Sequence, residues 1–339
     1  MQTAVVILNW NGKDFLRDFL PSVIAYTANE ARVIVADNAS TDDSVSYLKE
    51  HFPQVEIIIN DKNYGFAGGY NEVLKRVDAE YYVLLNSDIE VTEGWLTPMI
   101  KMMQCDERIG AVQPKLRSYH EKDKFEYAGA AGGFIDIFAY PFCRGRLFQH
   151  IEQDHGQYDQ SSEIFWATGA CMMVRADLWH KLGGLDVDFF AHMEEIDFCW
   201  RLKLEGYKVM YSHESHVFHV GGGTLPKKSW KKTYLNMRNN NIMLWKNLPM
   251  ALLIPVSIMR LFLDGIAALK FLIDGGWHDL WAVFRAHSSF YRTLGRTVAK
   301  RRGRKITLVP HIYLGNIVWE HFIRGKKQFN QLSEAKFRK

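Results

Sequence analysis

Residues 3–12 read TAVVILNWNG, an aliphatic run that ends in polar residues and a glycine. Such a run is typical of a strand buried on both faces of a parallel sheet. Similar patterns predict further strands at 32–36, 55–59 and 81–85, with helices between them at 13–26, 41–51 and 70–77. Ser40 is the predicted N-cap of the second helix. The alternation predicts an α/β fold whose ligands bind at the carboxyl ends of the strands.

The composition of the 339 residues is that of a globular protein, with 47% apolar residues and a net charge of +4. A charge this small does not indicate a nucleic-acid partner. The four cysteines form no C-x-x-C pair, which fits a reducing compartment and predicts neither a zinc knuckle nor a disulfide framework. The N-terminus shows no signal-peptide pattern.

The composition changes at about residues 244–249, after which the chain is apolar, basic and helix-like. We therefore expect two domains, at 1–246 and 247–339. We expect no further strand in the second.

Polar side chains follow the first two strands. Asn9 and Asn11 end the first, and Asp37 and Asn38 end the second. An acidic residue at such a position can accept hydrogen bonds from a base or from ribose hydroxyls. From the residues alone, the alternative that Asp37 and Asn38 only build a turn is the stronger one.

The third strand leads into a glycine-rich loop, NDKNYGFAGGYN, at residues 60–71. Glycines at a strand-to-helix turn let backbone N–H groups approach a diphosphate, although a simple tight turn is the alternative. A dinucleotide-binding dehydrogenase has its glycines after the first strand, where this chain has residues 9–12, NWNG.

The fourth strand ends in residues 86–90, NSDIE. A carboxylate here, Asp88, suits a hard divalent cation that bridges phosphates. His219, which precedes glycines 221–223, is a candidate second ligand. A turn aspartate and a structural histidine are the alternatives.

An acidic group lies in residues 189–201, FFAHMEEIDFCWR. On a helix, Asp197 shares a face with Glu194 and with Arg201, whereas Glu195 points away from that face. The pair Asp197–Arg201 is expected to anchor the helix while Glu195 faces a pocket. The alternative is a solvated acidic turn.

Taken in order, these segments resemble the family 2 glycosyltransferases, in particular the rhamnosyltransferase-like branch. Further matching segments are 168–172, TGACM, and 183–186, GGLD, so that the resemblance covers about residues 3–224. It implies a Rossmann-like single-sheet nucleotide-diphospho-sugar transferase fold of the GT-A type, with a nucleotide half and an acceptor half. The stretch after residue 246 would be a helical C-terminal extension.

The resemblance also implies roles for individual residues. Asp37 would contact the nucleotide base, Asp88 and His219 would bind the metal, and Glu195 would be the catalytic base, supported by Asp197. The residues expected to bind the nucleotide sugar are Asn9, Asn11, Asp37, Asn38, Asn63, Gly65, Asn71, Asn86, Ser87 and Asp88. The chain departs from the family pattern where Asn86 replaces the first metal-motif acid and Glu195 replaces an aspartate.

The expected reaction is an inverting transfer of a sugar from a nucleotide diphosphate sugar to a hydroxyl of a saccharide or lipid-linked saccharide. The expected cofactor is Mg²⁺ or Mn²⁺. One alternative is a nucleotidyltransferase, which would want a glycine-rich, basic loop after the first strand. The other is a non-catalytic, membrane-associated scaffold that only binds the sugar nucleotide.

The C-terminal part is expected to lie on the inner face of the cell membrane. The apolar run 248–259 is shorter than the ~20 residues of a spanning helix. Beyond it, Arg260, Asp264, Lys270 and Asp274 form one stripe beside a broad apolar face, as in interfacial helices. The basic residues Arg296, Lys300, Arg301, Arg302, Arg304 and Lys305 would meet anionic head groups, with Trp277, Trp281 and Trp319 at the boundary. The alternative is packing on the catalytic domain or in a homodimer.

Overall fold

The computed structural model of the chain describes residues 2–27, 29–221 and 229–339. Its strands are β1 (Thr3–Asn9), β2 (Arg32–Asp37), β3 (Glu56–Ile59), β4 (Tyr81–Asn86), β5 (Ile89–Val91), β6 (Ile109–Ser118), β7 (Gly133–Asp136), β8 (Pro141–Cys143), β9 (Arg146–Leu147), β10 (His150–Ile151), β11 (Ser162–Ile164), β12 (Cys171–Arg175), β13 (Lys208–His219) and β14 (Ile312–Tyr313).

The α-helices are α1 (Lys13–Thr27), α2 (Ser44–His51), α3 (Gly65–Leu74), α4 (Thr97–Cys105), α5 (Ala176–Leu182), α6 (Glu194–Leu204), α7 (Trp230–Asn247), α8 (Met250–Ile273) and α9 (Trp277–Ala299). Short helical turns lie at Val187–Phe189, Trp319–Ile323, Phe329–Gln331 and Glu334–Lys336.

The four strands predicted from apolar runs are confirmed as β1 to β4, and they pair in parallel in the order β4-β1-β2-β3. Alternate residues of β1 enter different cores, Ala4 and Val6 on one face and Val5 and Ile7 on the other. The sheet is therefore covered on both faces, as continuous apolar strands require.

The sheet continues past β4 as β12, β6, β13 and β11, with β5 added to β13. These added strands are not all parallel, because β12, which is not among the predicted strands, runs antiparallel to both β4 and β6. The apolar run of β12 is buried throughout its first four residues, and such a run does not encode strand direction.

The registers bring the polar strand ends together at one edge. Asn9 is aligned with Asp37, and Leu8 with Asn86. The predicted ligand-binding edge is therefore a single edge of the sheet, to which the loops after β1, β2, β3 and β4 all contribute.

Two helix starts differ from expectation. α2 begins at Ser44, and Ser40 is not its N-cap, because the Ser40 hydroxyl accepts hydrogen bonds from the backbone N–H of Asn11 (2.9 Å) and from Asn9 Nδ2 (3.2 Å). α3 begins at Gly65, because the glycine-rich loop itself forms the first turns of the helix.

A second sheet, in the order β10-β9-β8-β7-β14, lies beside the main one. β14 pairs in parallel with β7 through Ile312–Ile135 and Tyr313–Asp136. The expectation that no strand follows residue 247 is therefore wrong. A two-residue strand has too little periodicity to be recognised in a sequence.

Helix α8 has its charged pair inside and its apolar residues outside. Arg260 and Asp264 are buried, with 3.1 Å between Arg260 Nη2 and Asp264 Oδ1. Tyr140 and His287 also contact Asp264. Apolar side chains exposed on α8 are Met250, Ile254, Ile258, Met259, Leu261, Phe262, Ile266, Leu269, Leu272 and Ile273. Exposed aromatic residues on α9 and after it are Trp277, Trp281, Phe284, Tyr291, Trp319 and Phe322.

The length of α8 corrects the expectation based on the run 248–259. The helix has 24 residues, and its length and mean hydropathy of 1.9 are sufficient to cross a membrane. Pro255 lies within it without ending it. Only 28% of the most apolar segment of this helix is buried inside the protein.

Most of the basic cluster expected to meet head groups has partners in the protein. Lys300 pairs with Asp186 and Asp188, each at 2.6 Å, and Arg296 pairs with Asp188 at 3.0 Å. Arg301 donates to the carbonyl oxygen of Leu248, and Arg304 to Asn247 Oδ1. These contacts connect residues on both sides of residue 247, and the two-domain division there stays a prediction.

Candidate active site

The residues at the carboxyl ends of β1 and β2 are hydrogen-bonded to one another. Asn9 Nδ2 donates to Asp37 Oδ2 at 3.0 Å, and the backbone N–H of Ser40 donates to Asp37 Oδ1 at 2.9 Å. Asn11 Oδ1 accepts from the backbone N–H of Thr41 at 2.7 Å. Asp37 is buried, and both of its oxygens serve the turn. A carboxylate has further lone pairs, so this turn role does not prevent a contact with a ligand.

Asn38 fixes the glycine-rich loop. Its Nδ2 donates to Asn63 Oδ1 at 2.9 Å and to the Gly65 carbonyl at 3.0 Å, and its Oδ1 accepts from the Tyr64 backbone N–H at 3.2 Å. Gly65 has φ +71°, a conformation that favours glycine. Asn38, Asn63 and Gly65 are therefore brought together, as predicted.

Asn71 joins α3 to the loop before α6. Its Nδ2 donates to the Leu185 carbonyl at 2.7 Å, and its Oδ1 accepts from the Leu185 N–H at 2.9 Å. The GGLD segment at residues 183–186 is thus fixed to the helix that follows the glycine-rich loop. Whether Asn71 also contacts the donor stays a prediction.

Asp88 and His219 lie side by side, with 3.2 Å between Asp88 Oδ1 and His219 Nε2. Glu126, which the sequence analysis did not single out, places Oε1 3.4 Å from His219 Nδ1. All three side chains are buried. Burial disfavours the charged imidazole, but Glu126 and Asp88 outweigh it and raise the pKa of His219 to about 10. The carboxyl groups of Asp88 and Glu126 therefore favour a positive charge at the position of His219. Glycines 222 and 223, which flank the predicted ligand, lie outside the described residues.

Asp88 and His219 could supply part of the ligands of a cation site. Asp88 Oδ1 and His219 Nε2 are adjacent, whereas Glu126 lies on the opposite side of the ring, where carboxylates commonly orient a metal-binding histidine. Over residues 2–27, 29–221 and 229–339, no group of three or more His, Cys, Asp or Glu side chains could hold a metal ion. A cation bound here would need further ligands, such as diphosphate oxygens and water.

The two faces of α6 differ as predicted. Asp197 is fully buried and accepts from Arg201 Nε at 2.8 Å, Lys246 Nζ at 2.7 Å and Asn247 Nδ2 at 2.8 Å. Although burial opposes ionisation, Lys246 and Arg201 hold the pKa of Asp197 well below its usual range. The anchoring pair Asp197–Arg201 is thus present, and Lys246 and Asn247 strengthen it.

Glu195 lies on the other face of α6, with its Oε2 atom buried and without a hydrogen-bond partner in the part of the chain that the structure describes. Burial raises the pKa of this carboxyl to about 7, and backbone N–H groups, including that of Gly169, oppose the rise. A carboxyl with one buried, unpaired oxygen and a pKa near neutrality is suited to take up a proton.

Glu195 is connected to the donor loop and to the end of β4. A Cβ atom at Gly169 would lie 3.2 Å from Phe66 Cζ and 3.8 Å from Glu195 Cβ, so α3, the Gly169 turn and α6 converge. The next residue, Ala170, accepts a hydrogen bond from the Asn86 N–H at 2.9 Å. The candidate base therefore lies at the sheet edge that carries the candidate metal ligands.

The turn before α6 has an unusual backbone. Phe190, His192 and Met193 have φ values of +66°, +69° and +76°. Asn239 of α7 donates to the carbonyl oxygens of Phe189, Ala191 and His192. The sequence analysis did not predict α7, and residues 238–241, RNNN, argue against a helix because asparagine is a poor residue for a helix interior.

Residues 4–183 match the protein family described as "Glycosyl transferase family 2". The chain is 23% identical over 233 residues to the N-acetylglucosaminyl-diphospho-decaprenol L-rhamnosyltransferase of Mycobacterium tuberculosis, covering 63% of this chain and 75% of that protein. It is 24% identical over 224 residues to the rhamnosyltransferase WbbL of Escherichia coli K12, covering 63% and 82%.

Solved structures show the same fold. GalNAc-T7 with UDP, GalNAc and Mn²⁺ aligns with a TM-score of 0.57 at 15% identity, covering 74% of this chain and 48% of that one. The mannosyltransferase PcManGT from Pyrobaculum calidifontis, in complex with GDP-Man and Mn²⁺, gives 0.51 at 16% identity, covering 88% and 86%. The architecture is thus the GT-A type with a helical C-terminal region. The chain belongs to glycosyl transferase family 2, and it is a glycosyltransferase of glycan synthesis.

Proposed function

We propose that the protein transfers a sugar, with inversion, from a nucleotide diphosphate sugar to a hydroxyl of a saccharide or lipid-linked saccharide, with Glu195 as the general base. The observation that carries this proposal is the buried, unpaired Glu195 Oε2 atom beside the Gly169 turn. Asp197 on the same helix is fully paired and therefore poorly suited to accept a proton.

In this mechanism Glu195 takes the proton of the acceptor hydroxyl as its oxygen attacks the anomeric carbon. The bond between that carbon and the diphosphate breaks, and the diphosphate leaves with the electron pair. A single displacement inverts the configuration. At neutral pH a carboxyl with a pKa of about 7 is substantially ionised and is still basic enough to be effective.

Asp88 and His219 are the proposed residues for a divalent cation, Mg²⁺ or Mn²⁺. Such an ion would neutralise charge on the leaving diphosphate. The Mn²⁺ ions named with GalNAc-T7 and PcManGT support this assignment. Glu126 would orient the His219 ring from its other nitrogen. The loops of Asp37, Asn38 and Gly65 are the proposed nucleotide side of the site.

We also propose that the exposed face of α8 and α9 lies on the inner surface of the cell membrane. Ile258, Leu269 and Ile273 are 67%, 61% and 84% exposed, although the charged pair of the same helix is buried. A continuous apolar face of this kind suits lipid. The decaprenol-linked acceptor named for the mycobacterial relative supports a lipid-linked substrate.

A panel of nucleotide diphosphate sugars tests the proposed activity. The protein should release nucleoside diphosphate from at least one donor when Mg²⁺ or Mn²⁺ is present. Binding of a donor without any turnover, with either metal and with saccharide acceptors added, would favour the scaffold alternative.

A further inference from the structure

We propose that Asn239 is a positioning residue that holds the turn at residues 189–193 in the conformation that presents Glu195 to the site. This inference rests on the proposed role of Glu195 and adds a residue from α7 to the catalytic apparatus. Asn239 itself is not expected to touch either substrate.

The turn needs support from outside. Phe190, His192 and Met193 all have positive φ values, and none of them is glycine. Such backbone persists only where the surrounding structure fixes it, and it is found disproportionately at functional sites. The turn leads directly into α6, because the backbone N–H of Asp197 donates to the Met193 carbonyl at 2.9 Å. A change in the turn therefore moves the first residues of α6, which include Glu195.

Asn239 supplies that support. Its Nδ2 atom lies 2.9 Å from the Phe189 carbonyl oxygen and 2.8 Å from those of Ala191 and His192. The side chain is fully buried. Arg238 Nε donates to Asn239 Oδ1 at 2.9 Å, which orients the amide with its N–H groups toward the turn. Lys246 and Asn247, on the same helix, hold Asp197, so α7 fixes α6 at two separate points.

The turn also adjoins the donor loop. A Cβ atom at Gly65 would lie 3.5 Å from the ring of Phe190. The geometry of residues 189–193 thus bears on both the base and the loop that would carry the diphosphate. Loss of Asn239 should therefore affect the chemical step more than it affects overall folding.

The test compares Asn239→Ala with Asn240→Ala. Asn240 is a matched control, because it is the next residue of α7, is also buried, and donates to the carbonyl of Ala139 in the loop between β7 and β8 instead of to the turn. Transfer or hydrolysis is measured with the nucleotide sugar that the wild-type protein uses. Asn239→Ala should lower kcat about 10- to 100-fold with little change in the donor KM, and Asn240→Ala should leave kcat nearly unchanged.

The pH profile separates positioning from a purely structural role. In the wild-type protein, kcat should rise with pH through an inflection near 7, as Glu195 loses its proton. Among the described residues, the titratable groups near Glu195 include Glu194, Cys199 and Asp197, and Asp197 is neutralised by Arg201 and Lys246. A relaxed turn admits water to Glu195, so the inflection of Asn239→Ala should move to lower pH.

An unchanged kcat and inflection in Asn239→Ala, or an equal loss of kcat in Asn240→Ala, would overturn the inference. If Asn239→Ala does not fold, Asn239→Ser, which keeps one donor, decides by the same two measurements. An inflection that persists in Glu195→Gln would instead refute the proposed base. An inflection lost in Glu195→Gln but unmoved in the Asn239 variants would refute only the positioning role.

Discussion

The edge of the main sheet and the outer face of α8 and α9 depart from an ordinary protein surface in opposite ways. The edge buries charged groups, including Asp88, His219 and Glu126, and an unpaired atom of Glu195. The outer face exposes large apolar side chains, while the Arg260–Asp264 pair of the same helix is turned inward. Buried charge suits a charged, polar ligand, and exposed apolar surface suits a lipid or protein neighbour. This contrast agrees with the proposal that the donor is a nucleotide sugar from solution and the acceptor is lipid-linked.

The largest effect is expected for Glu195→Gln, which should strongly reduce sugar transfer without changing membrane binding. Glu195→Gln keeps the shape of the side chain but cannot take up a proton, so transfer should fall by about two to four orders of magnitude. Donor binding and co-sedimentation with anionic vesicles should stay at the wild-type level. Near-normal transfer in this variant, with a folded but inactive Asp197→Asn variant, would exchange the two roles.

Asp197→Asn should act on stability. It leaves the buried Arg201 without its counter-charge and Lys246 with Asp186 as its remaining carboxylate partner, and breaking a buried pair in this way typically costs about 3–5 kcal/mol. Thermal unfolding measures the loss. Because the pKa of Asp197 is lowered by folding, its contribution is present above the unfolded pKa and disappears as the pH falls through the folded value. The difference in unfolding free energy between the variant and the wild-type protein should therefore be smaller in strong acid than at neutral pH.

Asp88→Ala tests the cation side of the edge. The wild-type protein should bind nucleoside diphosphate more tightly with Mn²⁺ than in chelator, and Asp88→Ala should lose most of that gain, on the order of tenfold or more. Calorimetric titration with UDP, GDP and dTDP provides a measurement that does not depend on turnover. Equal nucleotide binding and donor turnover by the wild-type protein with and without chelator would remove the metal from the mechanism.

Leu269→Glu tests the outer face. A charge in place of a lipid-facing leucine should reduce binding to anionic vesicles at least tenfold, because a buried leucine contributes about 1.5–3 kcal/mol. Turnover of donor in solution should not change. Tyr26→Glu adds the same charge at an exposed apolar position on α1 and should leave vesicle binding intact.

Wild-type protein that stays in the supernatant with vesicles at low salt would contradict the membrane proposal. If Leu269→Glu then converts a dimer into a monomer in light scattering, a second copy of the chain covers this face.

The smallest expected effect concerns two ion pairs with the same spacing on one helix. Lys270 and Asp274 lie 2.6 Å apart and are both exposed, so Lys270→Ala should cost about 0.5 kcal/mol or less. Arg260→Ala leaves Asp264 buried beside Tyr140 and should cost several times more by thermal unfolding. Equal losses of unfolding free energy in the two variants would mean that water reaches the Arg260–Asp264 pair on the inner side of α8.

Sequence reasoning succeeded where the signal is local. Continuous apolar runs identified β1 to β4, and the parallel registers then bring Asn9, Asp37 and Asn86 to one edge. The i, i+4 spacing likewise identified the Asp197–Arg201 pair and placed Glu195 on the other face of α6. The family resemblance, carried by motifs in a fixed order, was confirmed by the family match.

It failed where contacts join distant parts of the chain. Glu126 reaches His219 from a segment without any periodic pattern, and Lys246 reaches Asp197 from 49 residues away. Periodicity revealed the charged stripe of α8 but not which side of the helix faces the protein. Lys300 turns inward because Asp186 and Asp188 lie within reach, which no local pattern shows.

The pairing of β14 with β7 has a consequence for the order in which the protein can be made. The N–H of Ile317 donates to Asp136 Oδ2 across 181 positions in the chain, at 3.0 Å. During synthesis, the edge of β7 and the buried carboxyl of Asp136 beside it stay uncovered until residues 312–317 have left the ribosome. A chain that stops before residue 312 should therefore have an open sheet edge and be prone to aggregation and proteolysis.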